Sequence, residues 1–206
     1  MSEDPIVFVV DDDTDVRKSL GRSLRVEGFA VESYASAEAF LDARDHDCLG
    51  CLILDLAMPG MNGLDLQAEL LRREWLLPII FISGHGDVPT SVQAIKEGAI
   101  EFLEKPFEPQ VLFDRVAEAI ERNAEARAEI AVTLEIRARY QTLTPRELEV
   151  LGLLVAGAAN RSNKEVAREL GISHRTVDEY RARIMAKMQA RSITELAEFA
   201  RRCDVV

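Results

Sequence analysis

Five short strand-like runs, four of them closing on a polar residue and each followed by a segment with helical spacing, restrict the first part of this chain to one class of fold. The runs are Ile6-Val7-Phe8-Val9-Val10, Val31 to Tyr34, Cys51-Leu52-Ile53-Leu54, Pro78-Ile79-Ile80-Phe81-Ile82 and Ile100 to Glu104. Between them Val16, Leu20 and Leu24 lead to Gly28, and Ser36 opens a helix carrying Phe40 and Leu41. Leu64, Leu70 and Leu71 follow the third run, Val88, Val92 and Ile95 the fourth, and Val111, Leu112, Val116 and Ile120 the fifth. Apolar runs bounded by turn residues suit strands covered on both faces. Their alternation with helices predicts an α/β unit, a (βα)5 doubly wound parallel sheet with helices on both sides.

The polar residues that end the runs carry the chemistry. Strand one ends in Asp11 and Asp12, strand three in Asp55, strand four in Ser83 and strand five in Lys105. An aspartate at a strand end is more often a turn former or a helix cap than a reactive group. With strand order 2-1-3-4-5, however, the switch point falls between strands one and three, and all five groups face one crevice. Clustered carboxylates resist ionising together unless a cation joins them. A hard divalent ion is the natural remedy, and Mg2+ binds through one or two carboxylates with phosphate oxygens and water. Asp12 and Asp55 are the candidate direct ligands. Lys105 is a point charge and Ser83 a hydroxyl donor for a phosphoryl group, and Asp55 is a carboxylate nucleophile able to form an acyl phosphate.

The net charge of −11 conceals an asymmetry: residues 142 to 206 hold 11 Lys and Arg against 9 Asp and Glu, leaving 14 against 27 for residues 1 to 141. The acidic part does not bind nucleic acid by itself, whereas the second part has the charge to do so. The 206 residues suffice for two domains with separate cores. The Met-Ser-Glu-Asp-Pro start lacks the basic and apolar stretches of a signal peptide, and no run is long enough to span a bilayer. A cytoplasmic protein with no membrane partner is expected. Cys48 and Cys51 form a Cys-x-x-Cys pair, but the second opens a strand instead of a helix, which favours burial as small hydrophobes over redox or zinc chemistry.

Residues 5 to 123 resemble a bacterial two-component receiver domain of flavodoxin-like strand order. The likeness rests on Val9-Val10-Asp11-Asp12, on Asp55 followed by Met58-Pro59-Gly60 and Gly63, and on Ser83-Gly84 and Lys105-Pro106-Phe107. It implies that a partner sensor histidine kinase phosphorylates Asp55, so that the chain is a phosphoacceptor and not an enzyme. It also implies that Asp12, Asp55 and the Ala57 carbonyl bind Mg2+, with Asp11 acting through water. Ser83 and Phe102 become a switch pair, and Lys105-Pro106 a cis peptide. Asp13 matches a common acidic position and receives no role. Ala57 and His85 flank the site, where control of phosphoryl lifetime is expected.

Residues 124 to 141 hold no Gly or Pro and are mostly helix formers, so a helical linker joins a receiver at 1-123 to a second domain at 142-206. Ile130 and Leu134 share one face of it, suited to packing between chains. Thr144-Pro145-Arg146-Glu147 is a capping box with proline at the first helical position. Leu148, Leu151, Leu154 and Val155 follow on the inner side. A second helix runs from about Asn163 to Leu170, Gly171 breaks it, and Ser173 caps a third with Val177, Ile184 and Met188 inward. Ser192-Ile193-Thr194-Glu195 opens a fourth, with Leu196 and Phe199 apolar. Helix, glycine turn, helix is as often a plain packing unit as a DNA reader. The outer face of the third helix, with Arg175, Thr176, Asp178, Glu179, Arg181, Ala182 and Arg183, favours the DNA reading.

This all-α second half resembles the LuxR-type output domain of FixJ/NarL-class response regulators. The matching segments are Leu143-Thr144-Pro145-Arg146-Glu147, Asn163-Lys164-Glu165-Val166-Ala167 and Gly171-Ile172-Ser173-His174-Arg175-Thr176-Val177. The loop from Ala158 to Ser162 is longer than is usual there. The resemblance implies a third helix in the major groove of double-stranded DNA, where arginine pairs with guanine and Glu179 accepts from cytosine N4 or repels the backbone. Lys164, Arg175 and Thr176 hold phosphates and set register. A homodimer on paired half-sites, promoted by phosphorylation, is expected, with RNA polymerase as a further expected partner. Two alternatives remain at this point. An aspartyl-phosphate phosphatase uses similar groups, but needs Asp-x-Asp-x-Thr/Val on strand one, and the fifth position from Asp11 is Asp15 and from Asp13 is Arg17. The other is a receiver whose helical half binds protein or RNA.

Overall fold

The apolar runs pair side by side as one parallel five-stranded sheet in the order β2-β1-β3-β4-β5. The computed structural model describes residues 4–44, 46–84, 94–96, 98–156 and 161–203. The strands are β1 (Ile6–Val10), β2 (Ala30–Tyr34), β3 (Gly50–Asp55), β4 (Ile79–Ser83) and β5 (Glu101–Glu104). Helices α1 (Thr14–Val26), α2 (Ala37–Ala43) and α3 (Gly63–Arg72) connect the first four. Val88 and Val92 of the expected fourth helix lie outside the described residues. Of that segment Ala94 is buried, while Ile95 is exposed. After β5, a single helix α4 (Pro109–Tyr140) runs through the segment expected as a linker.

Side chains alternate between the sheet's two faces, and each face has its own core. Val7, Val9, Cys51, Ile53, Ile80 and Ile82 pack with Leu24 of α1 and with Leu112, Val116 and Ala119 of α4. Phe8, Val10, Leu52, Leu54 and Phe81 pack with Phe40 of α2 and with Leu66 and Leu70 of α3. Fully buried side chains of this size each contribute roughly 1.5–3 kcal/mol, which makes the sheet a fixed platform for its strand-end residues. Leu71, expected on the inner face of α3, is exposed, because neighbouring residues of a helix point about 100° apart and Leu70 takes the inward direction. Cys48 and Cys51 are in no disulfide and are buried in opposite cores, and burial pushes the Cys51 thiol up, away from the reactive thiolate.

The chain divides into two compact units between Arg127 and Ala128, inside α4. In the second unit Ile136 of α4 joins the core formed by α5 (Pro145–Val155), α6 (Asn163–Leu170), α7 (His174–Met188) and α8 (Ile193–Arg202). Val150, Leu151, Leu154, Val166, Val177, Ile184, Met188 and Leu196 are its buried centre. Thr144 and Ser162 cap α5 and α6 through reciprocal boxes with Glu147 and Glu165, and Ser173 caps α7. Gly171 ends α6 at φ 66°, a left-handed conformation that glycine adopts without a Cβ penalty.

Candidate functional site

The strand ends meet because the register aligns them. Val10 stands opposite Leu54, Asp55 opposite Ile82, and Ser83 opposite Glu104, so the residues that end or follow β1, β3, β4 and β5 share one sheet edge. Asp11 is 1% exposed and Asp55 7%. The Lys105 ammonium donates to Asp11 Oδ2 at 2.9 Å and to Asp55 Oδ1 at 2.8 Å, bridging them. The second Asp55 oxygen accepts from the Ala57 N–H at 3.0 Å, and Asp11 Oδ1 accepts from the Asp13 N–H at 2.8 Å. The Lys105 N–H donates to the Ser83 carbonyl at 2.7 Å, and the Lys105–Pro106 peptide is cis. Gly63 packs against the back of Asp55: a Cβ there would lie 2.6 Å from the Asp55 carbonyl oxygen.

Burial pushes the Asp55 carboxyl above the usual carboxylate range, and repulsion from Asp11 adds to it; Lys105 and the Ala57 N–H act the other way without cancelling the rise. Partial burial works against the Lys105 charge, but its hydrogen bonds to Asp55 and Asp11 outweigh this, and its pKa is raised. Two carboxylates sharing one ammonium leave an excess negative charge, which a further cation would neutralise. Among the described residues no three His, Cys, Asp or Glu side chains form a ready metal cage. Mg2+ does not need one, since it keeps several waters and takes few protein oxygens. The oxygen-only donors at this strand edge fit such an ion.

Of the expected receiver residues, the structure brings the side chains of Asp11, Asp55 and Lys105 together, with the Ser83 backbone joined to Lys105. Asp12 is exposed and stands outside the bridged pair. Phe102 is half-buried, its ring centroid 6.4 Å from that of Phe81 with the planes 30° apart. Asp13 accepts from the N–H groups of Asp15 and Val16 and so caps α1, which holds its carboxyl below the usual range. Arg17 was not singled out in the sequence, yet it donates to the Asp11 carbonyl at 2.6 Å. The four-residue step from Asp13 to Arg17 marks one helical turn but does not announce that contact. His85 lies outside the described residues.

In the helical unit, Arg175, Asp178, Glu179, Ala182 and Arg183 are exposed on α7, with Thr176 and Arg181 half-buried and Lys164 exposed on α6. Arg175 and Glu179 face each other at 3.4 Å, and the Arg183 guanidinium lies 4.6 Å from the centre of the Tyr180 ring. Asn163 donates to Asp178 at 2.5 Å and accepts from Arg181 at 3.4 Å. A second tie, also absent from the sequence reading, runs from Lys187 near the end of α7 to the buried Glu147 of α5 at 2.7 Å. Residues 157–160 of the longer loop lie outside the described residues; Ser162, at its end, caps α6.

Comparison with known proteins matches residues 7–117 to the response regulator receiver domain and residues 141–200 to the bacterial regulatory proteins of the luxR family. The transcriptional regulatory protein FixJ of Rhizobium meliloti is 45% identical over 197 residues, covering 96% of this chain and 95% of the relative. Nodulation protein W of Bradyrhizobium diazoefficiens is 44% identical over 191 residues, covering 93% and 83%. Among solved structures, the response regulator StyR superposes with a TM-score of 0.83 at 42% identity, covering 97% of this chain and 100% of that one. Full-length FixJ from B. japonicum gives 0.59 at 42% identity over 98% of each chain.

Proposed function

This chain belongs to the two-component response regulators with a LuxR-family DNA-binding half, and on that premise we propose that Asp55 is its phosphoacceptor and that the phosphoryl group controls dimerisation and operator binding. A transcription regulator of this family is not a catalytic enzyme, so the phosphatase alternative loses its ground. Membership brings a histidine kinase and DNA as partners. The homodimer, a contact with RNA polymerase and a cytoplasmic location are our further reading; among the described residues no helix is long and apolar enough to cross a membrane.

The observation that carries the reading is the Lys105 bridge between Asp11 and Asp55 at the strand edge. An Asp55 oxygen attacks the phosphorus of the kinase phosphohistidine, the P–N bond breaks, and the imidazole leaves. Lys105 then exchanges a carboxylate oxygen for a phosphoryl oxygen at little cost in charge. Asp12, Asp55 and the Ala57 carbonyl would hold Mg2+, with Asp11 joined through water. Bound there, the ion offsets the negative charge of the incoming phosphoryl group. Ser83 turns its hydroxyl to that group and Phe102 packs inward after it. This biases a two-state surface by a few kcal/mol, as such switches require. The proposed boundaries are a receiver to residue 123, a helical connector to 141 and an output domain beyond.

A small-molecule phosphoryl donor with Mg2+ is expected to add one phosphoryl group to the protein by mass spectrometry. The product should dimerise by analytical ultracentrifugation and retard operator DNA, and Asp55→Asn should do neither. Equal phosphate-driven dimerisation of both proteins overturns the reading.

A further inference from the structure

The exposed surface of α7 carries two sets of residues in different chemical states. At about 100° per residue, Arg175, Glu179, Ala182 and Ala186 follow one line, opposite the buried Val177, Ile184 and Met188. All four are exposed, and the side chains of Arg175 and Glu179 are 90% and 60% accessible. Asp178 and Arg181 lie on the flank toward α6 and are held by one amide. Asn163 Nδ2 donates to Asp178 Oδ1 at 2.5 Å, and Arg181 donates to Asn163 Oδ1 at 3.4 Å. His174 Nδ1 stands 3.0 Å from the other Asp178 oxygen.

Asp178 is held by Asn163 and faces His174, which directs its carboxylate along the flank toward α6, and turning it toward a base would cost those contacts. An amide that joins two helices contributes equally on any DNA sequence, as a backbone contact does. Along the other line, Arg175 and Glu179 face each other across an exposed 3.4 Å contact that is easily exchanged. We propose that Asn163, Asp178 and Arg181 form a positioning clasp that fixes α7 on α6. Direct base readout then belongs to Arg175 and Glu179, with Ala182 as a small apolar neighbour. This rests on the reading that α7 enters the major groove of a duplex. There Arg175 matches guanine, in place of the phosphate contact expected of it from the sequence, and Glu179 the N4 amine of cytosine.

The test selects bound duplexes from a random pool with phosphorylated full-length protein, and then measures affinities for the enriched sites. Amide and carboxylate side chains ask for different bases: asparagine or glutamine pairs with adenine where a carboxylate accepts from cytosine. Glu179→Gln should therefore move one base of each half-site from cytosine toward adenine. Asp178→Asn keeps the acceptor for Asn163, so the preferred sequence should stay and the affinity should hold within about twofold. Asp178→Ala and Asn163→Ala should keep the preferred sequence and weaken all enriched sites by a common factor of about 3 to 10. Their double variant should lose no more than either alone. A change toward adenine in Asp178→Asn, a changed sequence in Asn163→Ala, or an unchanged one in Glu179→Gln overturns the division of labour and leaves the DNA reading standing. A wild-type pool with no enriched motif overturns both. Circular dichroism melts of each variant separate a lost clasp from a lost fold.

Discussion

At Asp55 a buried carboxylate, a second carboxylate and one ammonium share a space that a side chain's width would disrupt. Gly63 backs Asp55 from the other side, where a Cβ would lie 2.6 Å from the Asp55 carbonyl oxygen and 2.9 Å from the Phe81 ring. Gly63→Ala must push Asp55 out of line with Lys105. The expected result is a loss of roughly 1–3 kcal/mol in receiver stability by urea denaturation, with slower phosphoryl uptake than wild type under the same donor concentration. Unchanged uptake would mean that the position of Asp55 tolerates displacement.

Helix ends carry much of the order in the second unit, and Glu147 serves two elements at once. It closes the capping box of α5 with Thr144 and receives Lys187 from α7. The hydrogen bond from Lys187, followed by that from the Thr144 N–H, lowers its carboxyl from 4.5 to about 2. A carboxylate depressed in the fold stabilises it fully above its unfolded pKa and loses that effect as pH falls toward the folded one. Wild type should therefore exceed Glu147→Gln in stability by on the order of 1–3 kcal/mol at neutral pH. The gap should close between about pH 5 and pH 2, as followed by denaturant titrations at stepped pH. A gap that persists at the acid end would assign the effect to packing instead of charge.

Across the whole molecule, the chain divides into two units with separate cores between Arg127 and Ala128, and one helix spans the break. Just before the break, buried Asn123 of α4 accepts from the Gly50 N–H at 3.1 Å and donates to the Leu76 carbonyl at 2.7 Å. Arg127 pairs with Asp47, whose carboxylate also receives the Leu76 N–H. Asn123→Ala leaves the buried Gly50 N–H without this partner and removes a bond from the carbonyl of the more exposed Leu76, at a cost of about 1–3 kcal/mol. Two units with separate cores are expected to melt as two calorimetric transitions. Asn123→Ala should lower the one belonging to the sheet and leave the other in place; a shift of both would show a single cooperative unit. The sequence by itself determined the three inner strands, because a strand buried on both faces must be apolar throughout, while the more polar edge strands β2 and β5 were marked by their place between helical segments; it also determined the strand-end Asp, Ser and Lys, because parallel pairing sends all carboxyl ends to one edge. It likewise marked the helix starts at Thr144, Ser173 and Ser192, whose caps act within one turn. Tertiary structure alone decided that Leu70 and not Leu71 takes the inward direction, and that Asp11 and not Asp12 joins the Lys105 bridge. It alone joined Asn163 to Asp178, Lys187 to Glu147 and Asn123 to Gly50. Those bonds connect residues far apart in the chain, and no local spacing records which polar side chain will meet which backbone or carboxyl group once the elements pack.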